Sequence, residues 1–432
     1  MNQLTNCPIE SNGDFDVLVC GAGMGGITAA CMAAEQGLEV CVLEYFGEPG
    51  GIPVNGALGA ISGFSDGEVV AVAGFPQRFA DELERRGASL IQGGGSNINL
   101  PPSAISLLVW ELLEFYNIQM RLYTSVIDTE VDANGRISSV VTSAKEGLRR
   151  VSAKLFIDAT GDGDLAYMAG APYEIGRPSD GKVMSASVIF IIGGIDKSRM
   201  PEYMEVRRIW KSRPRPVPID HSVFQFVPHS PQSNEIAVNM THSLDADPLI
   251  SAGLTKIRRD CMKQAKYLLE EFFRKEIPGY ENAWISRYAP QVGVRESRRI
   301  MGDYILTEED VLEGRRFEDE IACGIWGIDV HNPDGIHTGV SHYITKPYGI
   351  PYRCITPRGL SNLFIAGRPI SADHIAHSSS RINATCMAIG EAAGTAAKEA
   401  IDRQCTRMVD IPQLKSQLAN NTYSYFNVKD EY

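Results

Sequence analysis

The clearest pattern of apolar and polar positions lies at residues 15–46, FDVLVCGAGMGGITAACMAAEQGLEVCVLEYF. Asp16 to Cys20 is a short apolar run, and Gly21-Ala22-Gly23-Met24-Gly25-Gly26 is a turn. A helix of small residues follows through Gln36, and Glu39 to Leu43 is a second apolar run closed by Glu44. The pattern predicts strand, glycine turn, helix, strand and acid. Apolar residues at 105, 108, 109, 112, 113 and 116 predict a helix over 101–116, and 75–86 reads as another. From Gln119 the period changes to two. Val126 to Val131, Ile137 to Thr142 and Arg150 to Ile157 read as strands of a β-meander over about 119–157, with Asn134-Gly135 as a hairpin turn.

The meander leads into Asp158-Ala159-Thr160-Gly161-Asp162-Gly163-Asp164, a buried strand ending in glycines, and then a short helix from Leu165 to Ala169. Residues 170–345 look different. They carry a strand at Met184 to Ile192, a proline-rich stretch at 211–220, a strand at Phe224 to Val227, and an amphipathic helix from Thr255 to Lys275. Tyr304 to Leu306 reads as a strand, Thr307 with Asp310 as a capping box, and Gly327 to His331 as a strand ending in an acid and an imidazole. Asn362 to Ala366 is a last buried strand closing in Gly367, and Arg381 to Ile401 reads as a helix with a smooth face of alanine and glycine. The expectation is an α/β protein: a Rossmann-like domain formed by 1–169 and 346–432, with an α+β substrate or cap domain inserted at 170–345.

The first motif carries chemistry because each residue has a physical task. Gly21 permits the tight turn, Gly23 lets the backbone approach a pyrophosphate, Gly26 lets the helix lie on the sheet, and the free N–H groups of the helix start face phosphates. Glu44 stands where an acid accepts hydrogen bonds from ribose hydroxyls, which favours an unphosphorylated ribose. The loop 47–64, with glycines at 50, 51, 56, 59 and 63, is suited to lie against a large planar ligand, with Asn55 and Ser62 as its polar candidates; a plain surface loop is the alternative. Gly93 to Ser96 lacks the strand and helix of a second phosphate cradle and reads as a loop. Arg295, Arg298 and Arg299 are either ion-paired surface residues or, led by Arg295, a clamp for an anionic substrate.

Composition narrows the partners. The net charge of -12 over 432 residues argues against nucleic acid, and no apolar run approaches a membrane span of about 18 residues. The polar start lacks a basic n-region and an apolar core, so the expectation is a cytoplasmic protein. Nine cysteines without a CxxC pair suggest no cluster and no disulfide framework, and histidines 221, 229, 331, 337, 342, 374 and 377 lack ligand spacing, so no metal site is expected.

GAGMGG with Glu44, the ATGDGD return, GVRESRRI, and NLFIAGR followed by SSSRINATCMAIGEAAGTAA together resemble the FAD-dependent oxidoreductases related to the succinate dehydrogenase and fumarate reductase flavoproteins. The resemblance implies a glutathione-reductase-type FAD domain with an inserted cap and noncovalent FAD. It places the cofactor on Gly21, Gly23, Met24, Gly25, Gly26, Glu44, Gly51, Asn55, Val126, Ala159, Thr160, Gly161, Asp162, Gly367, Arg381, Asn383 and Ala384. The expected reaction is hydride transfer between flavin N5 and a small organic substrate, with His374 and His377, imidazoles just before the flavin-facing helix, as acid/base candidates and Arg295 and Arg381 as clamps for its charge. The alternatives are a flavin monooxygenase, or a noncatalytic FAD subunit served by an electron-transfer partner. A homo-oligomer is also compatible.

Overall fold

Strands buried on both faces must be shielded by helices, and the run Val17-Leu18-Val19, with no exposed surface, lies at the centre of such a sheet. The computed structural model describes residues 9–88, 90–92, 97–213, 225–228, 234–335, 341–342 and 346–430; the glycine run 93–96, most of the proline-rich stretch and His221, His229 and His337 lie outside them. In the sheet, Gln119–Arg121, Val40–Leu43, Glu10–Cys20 and Gly147–Asp158 lie side by side in parallel. The closing strand Leu363–Ile365 adds, also parallel, to Gly147–Asp158.

The long strand Gly147–Asp158 is shared. Its first half pairs antiparallel with Ile137–Ala144, which in turn pairs with Ser125–Val131, so the expected meander extends the same sheet. Its second half, from Phe156, pairs with the closing strand. Asn362 stands at this fork and is buried. Its side chain accepts from Ile137 N at 2.8 Å and donates to Ile137 O at 2.8 Å and Lys154 O at 3.2 Å, standing in for a strand neighbour where the ladder divides.

The helix Met24–Glu35 packs on the helix Asn383–Thr395 with almost no side chain between them. A Cβ added at Gly390 would stand 2.1 Å from Gly25 O, and one at Gly394 would stand 2.3 Å from Ala29 O. The smooth face read from the sequence is therefore a backbone-to-backbone contact.

A second apolar core forms around the four-stranded antiparallel sheet Gln225–Pro228, Ile236–Asn239, Phe190–Gly193, Trp284–Tyr288. Its helix begins at Ser251 and runs to Tyr267, then widens into a π-helical stretch, Leu268–Phe273, that turns Leu268, Leu269, Phe272 and Phe273 into the core. Ala171, Met184 and most of the apolar residues of 300–330 join the first core, so the second core draws mainly on 186–292.

Some local expectations shift. The strand expected at 184–192 is Phe190–Gly193, preceded by single bridges at Ala186 and Ser187. Tyr304 to Leu306 forms no strand; only Leu306 bridges, to Ala372. The capping box of Thr307 and Asp310 is present in both directions. The last long helix starts at Asn383, because Ile382 is extended (ψ 146) and a separate helix, His374–Ser380, precedes it, capped by Asp373.

Gly390→Ala is expected to lower unfolding free energy by about 1–3 kcal/mol, since the methyl group must displace backbone. Denaturant unfolding of the variant beside the parent checks this.

Candidate functional site

The parallel strands Glu10–Cys20, Gly147–Asp158 and Leu363–Ile365 end together, and the partly accessible residues Gly21, Gly23, Gly51, Thr160, Gly161, Asp162, Arg368, Arg381 and Asn383 lie at or near those ends and the helix starts beside them. Gly21 has φ +102, and a Cβ there would lie 2.2 Å from Ala159 O. At Gly26 a Cβ would meet Gly21 O at 2.1 Å. At Gly23 it would meet nothing within 4 Å, and no side chain caps the helix that starts there. Two glycines thus serve internal packing, and Gly23 keeps an open approach to the helix N–H groups.

Glu44 is buried, and its carboxylate accepts from Ala22 N at 2.7 Å and Phe46 N at 2.8 Å. Burial pushes its pKa up, against the pull of those hydrogen bonds. Gly51 packs against Gly23, a Cβ there standing 2.8 Å from Gly23 Cα, so the loop 47–64 does return to the glycine turn. Asn55 is buried in that loop and spends its Nδ2 on Glu48 O at 2.7 Å. Val126 is half-buried two residues beyond Thr124, whose N–H donates to Glu44 O.

On the returning strand, Asp158 is fully buried and accepts from Thr160 N, Thr160 Oγ1 and Ala166 N, which makes it a turn and helix anchor; burial pushes its pKa up to about 6. Ala159 N binds Cys20 O, and Gly161 has φ +81. Asp162 accepts from Ser297 Oγ and Arg368 Nη2, each at 2.6 Å. Met24, Gly25, Gly367 and Ala384 are buried where the two helix starts meet, with Gly367 N 3.1 Å from a Cβ placed on Gly25. Asn383 donates to Ala60 O at 3.1 Å.

A second constellation joins both cores. His331 Nε2 donates to Asp329 Oδ2 at 3.1 Å, leaving Nδ1 without a partner among the described residues. Arg381 donates to Asp329 O at 3.1 Å and lies 3.3 Å from Asp329 Oδ2. The ring of His242 stacks on that of His331 with centroids 5.8 Å apart, and its Nε2 is also unpartnered among the described residues. Arg295, 8% exposed, donates to Ser185 O at 2.7 Å.

Burial, then Arg295, pushes His331 down to about 4 and His242 well below its ordinary value. Burial pushes Asp329 up, but His331, Arg381 and Arg295 more than offset this and hold it well below the usual carboxylate range. Near neutral pH the group is therefore two neutral imidazoles, one carboxylate and two guanidinium cations.

His374 and His377 stand on the helix His374–Ser380, whose Ser378 Oγ accepts from Asp329 N at 3.0 Å. His374 Nδ1 donates to buried Glu296 at 2.9 Å, and Glu296 also pairs with buried Arg299 and accepts from Met184 N. His377 has no exposure and no partner on either nitrogen among the described residues; burial, then Arg299, Arg381 and Arg368, pushes it well below its ordinary value. Arg298 lies 4.1 Å over the Tyr167 ring and pairs with Asp164 at 2.8 Å. Of the three neighbouring arginines, Arg295 faces the imidazole pair and the other two join ion pairs.

His242 and Ser185 were not singled out by the sequence pattern. The available signal was Met240-Thr241-His242-Ser243 directly after an apolar strand, where a polar cluster leaves a sheet. No group of histidine, cysteine or carboxylate able to hold a metal occurs among the described residues.

The glycine turn, the acid after the second strand and the crevice at the strand ends define a dinucleotide-binding α/β protein. The family described as "FAD dependent oxidoreductase" matches residues 16–418, and the chain belongs to that family: it is a flavoenzyme whose cofactor is FAD. A geranylgeranyl bacteriochlorophyll reductase-like protein from Thermoplasma acidophilum is similar in fold at 14% identity and TM-score 0.51, over 95% of this chain and 83% of that one. Glycine oxidase from Geobacillus kaustophilus (13%, TM-score 0.43, over 93% and 98%) and a flavin-dependent brominase (12%, TM-score 0.49, over 91% and 81%) are more distant. No curated protein matches the chain. Among the described residues no helix is long and apolar enough to cross a membrane. The residues present suit FAD: Gly23 leaves space at a bare helix start, and Glu44 offers a buried acceptor beside it.

Gly23→Ala is expected to leave apoprotein unfolding within about 0.5 kcal/mol of the parent while weakening FAD retention, read as loss of bound flavin absorbance on dilution. Acid sensitivity follows from the histidines. His242, His331 and His377 stay neutral in the folded chain below pH 6.5 while the unfolded chain takes up protons, so stability falls as pH drops from about 6.5 toward 4, by about 1 kcal/mol per unit for each. Asp158 works in the opposite direction below pH 6, and Glu44, Asp164 and Glu391, whose carboxyl groups burial also pushes up, oppose the loss at lower pH. Denaturant unfolding at pH 7 and pH 5.5 is expected to show the loss, and His377→Leu to make it shallower by roughly a third.

Proposed function

We propose that this flavoenzyme oxidises or reduces a small carboxylate substrate by hydride transfer at carbon, either C–C desaturation and its reverse or alcohol or amine oxidation. The observation that carries the reading is the meeting of Arg295, Arg381, His242 and His331 around Asp329, whose side chain keeps 41% exposure while its neighbours are nearly closed off. Bound FAD supplies the two-electron chemistry. Arg295 and Arg381, both largely buried, bring two guanidinium cations to the edge of a partly exposed carboxylate, a setting that favours an anionic guest.

Asp329 holds the Nε2 proton of His331, so the Nδ1 lone pair is the proton acceptor at the substrate, and the protonated ring is the donor in the reverse direction. Sharing the charge with Asp329 and the substrate anion offsets the cost that burial and Arg295 impose on the protonated ring. We assign the proton to His331 and give His374, bonded to Glu296, and His377, sealed within the fold, supporting parts. The bound flavin is proposed to lie along Gly21, Gly23, Gly51, Gly161, Gly367, Asn383 and Ala384. The second core covers the substrate. The motif likeness to succinate dehydrogenase and fumarate reductase flavoproteins supports the same reading.

Anaerobic mixing of the FAD-loaded protein with a panel of hydroxy acids, amino acids, saturated acids and neutral alcohols is expected to bleach the flavin band with a carboxylate class alone. His331→Gln is expected to slow that bleaching about 100-fold or more, and Arg295→Gln to raise the half-saturating concentration about tenfold or more. Full-rate bleaching by His331→Gln sinks the proton assignment. NADPH-dependent oxygen uptake with a hydroxylated product selects monooxygenation instead.

A further inference from the structure

Three of the groups in this constellation share one neighbour. Ser185 Oγ lies 2.8 Å from His242 Nδ1, Ser185 O accepts from Arg295 Nη1 at 2.7 Å, and Ser185 N donates to His331 O at 3.1 Å. Ser185 is buried, with 4% exposure, and lies on the extended link between the two cores. The backbone of His242 is fixed separately: its N–H donates to Gln264 Oε1 at 2.8 Å and its carbonyl accepts from Gln264 Nε2 at 2.6 Å. Only the imidazole ring is left for Ser185 to orient.

We infer that Ser185 is a positioning residue that holds His242 in its Nε2–H tautomer, so that the ring presents a hydrogen-bond donor to an anionic substrate. The reasoning is one of satisfaction. A buried hydroxyl hydrogen needs an acceptor, and among the described residues the one hydrogen bond of Ser185 Oγ is to His242 Nδ1. If Nδ1 carried the proton and donated to Ser185, the hydroxyl hydrogen would be stranded in the interior. With Ser185 donating, Nδ1 accepts, and the single proton of the neutral ring moves to Nε2, the atom that has no partner among the described residues. His331 holds the same tautomer, but there the Nε2–H is taken by Asp329 and Nδ1 is the atom left bare among the described residues. The stacked rings then differ in role: His242 donates a hydrogen bond and His331 receives a proton. This division rests on the proposed carboxylate site; the tautomer itself does not.

The test uses the full-length, FAD-loaded protein with 15N-labelled histidine, in which long-range proton–nitrogen NMR spectra distinguish the tautomers, and His242→Gln assigns the signal. The parent is expected to show His242 as Nε2–H. Ser185→Ala, which keeps both backbone hydrogen bonds, is expected to shift the tautomer ratio about tenfold toward Nδ1–H, and Ser185→Thr to retain the parent pattern. A parent signal of the Nδ1–H form, or a ratio untouched by Ser185→Ala, overturns the inference. Titration with glutarate reads the carboxylate site separately. Movement of the His242 and His331 signals supports that site, whereas no movement beside a tautomer switch in Ser185→Ala discards the site and leaves the positioning role standing.

Discussion

Backbone touching backbone is the constraint on which the rest depends. At Gly26, Gly390 and Gly394 an added Cβ would fall within 2.3 Å of a carbonyl oxygen, so the nucleotide helix is held from both sides at a distance only glycine permits. That contact fixes where the helix starts relative to the strand ends. It also brings the start of the helix Asn383–Thr395 to the same crevice, so two bare helix N-termini converge without a side chain between them. Helix packing and the shape of the crevice therefore come from the same few residues, and Gly23, where an added Cβ would meet nothing, is the one glycine of the turn that leaves space open.

The interior beyond that crevice is polar in a controlled way. Arg299 and Glu296 are almost wholly buried and would be costly apart, yet each has further partners: Arg299 donates to Ala372 O and Gly176 O, and Glu296 accepts from His374 and Met184 N. That network is closed upon itself. The group around Asp329 is open by contrast, with unpartnered imidazole nitrogens and a half-exposed carboxylate beside two arginines. A complete network rigidifies its surroundings, and the incomplete one keeps unused hydrogen-bonding capacity; the two lie on consecutive residues, Arg295 and Glu296.

The fold was legible where local chemistry leaves few choices. Gly21, Gly26 and Glu44 stand in positions that only a few residue types can fill, and Asn134-Gly135 and the Thr307 cap act over three or four residues. The break before Asn383 was not legible, because it arises from Ile382 turning extended and Arg381 reaching across to Asp329. In the candidate site, Arg295 and Arg381 stood out by type, whereas His242 depends on Ser185, 57 positions away, and on a ring from a different loop. Such meetings are made by tertiary structure, and spacing along the chain carries no trace of them. His374 and His377 show the same limit: their places on the chain did not tell that one would bond buried Glu296 and the other be sealed beside Ser378, which accepts from Asp329 N.

The chain leaves and re-enters the first core at neighbouring points. Tyr173–Ile175 pairs antiparallel with Arg298–Ile300, and Ser187 bridges Gly293, so the outgoing and returning chain run side by side between the two cores. The two ends of the second core are therefore tied to one another before they reach the first, so a shift of one crossing carries the other with it.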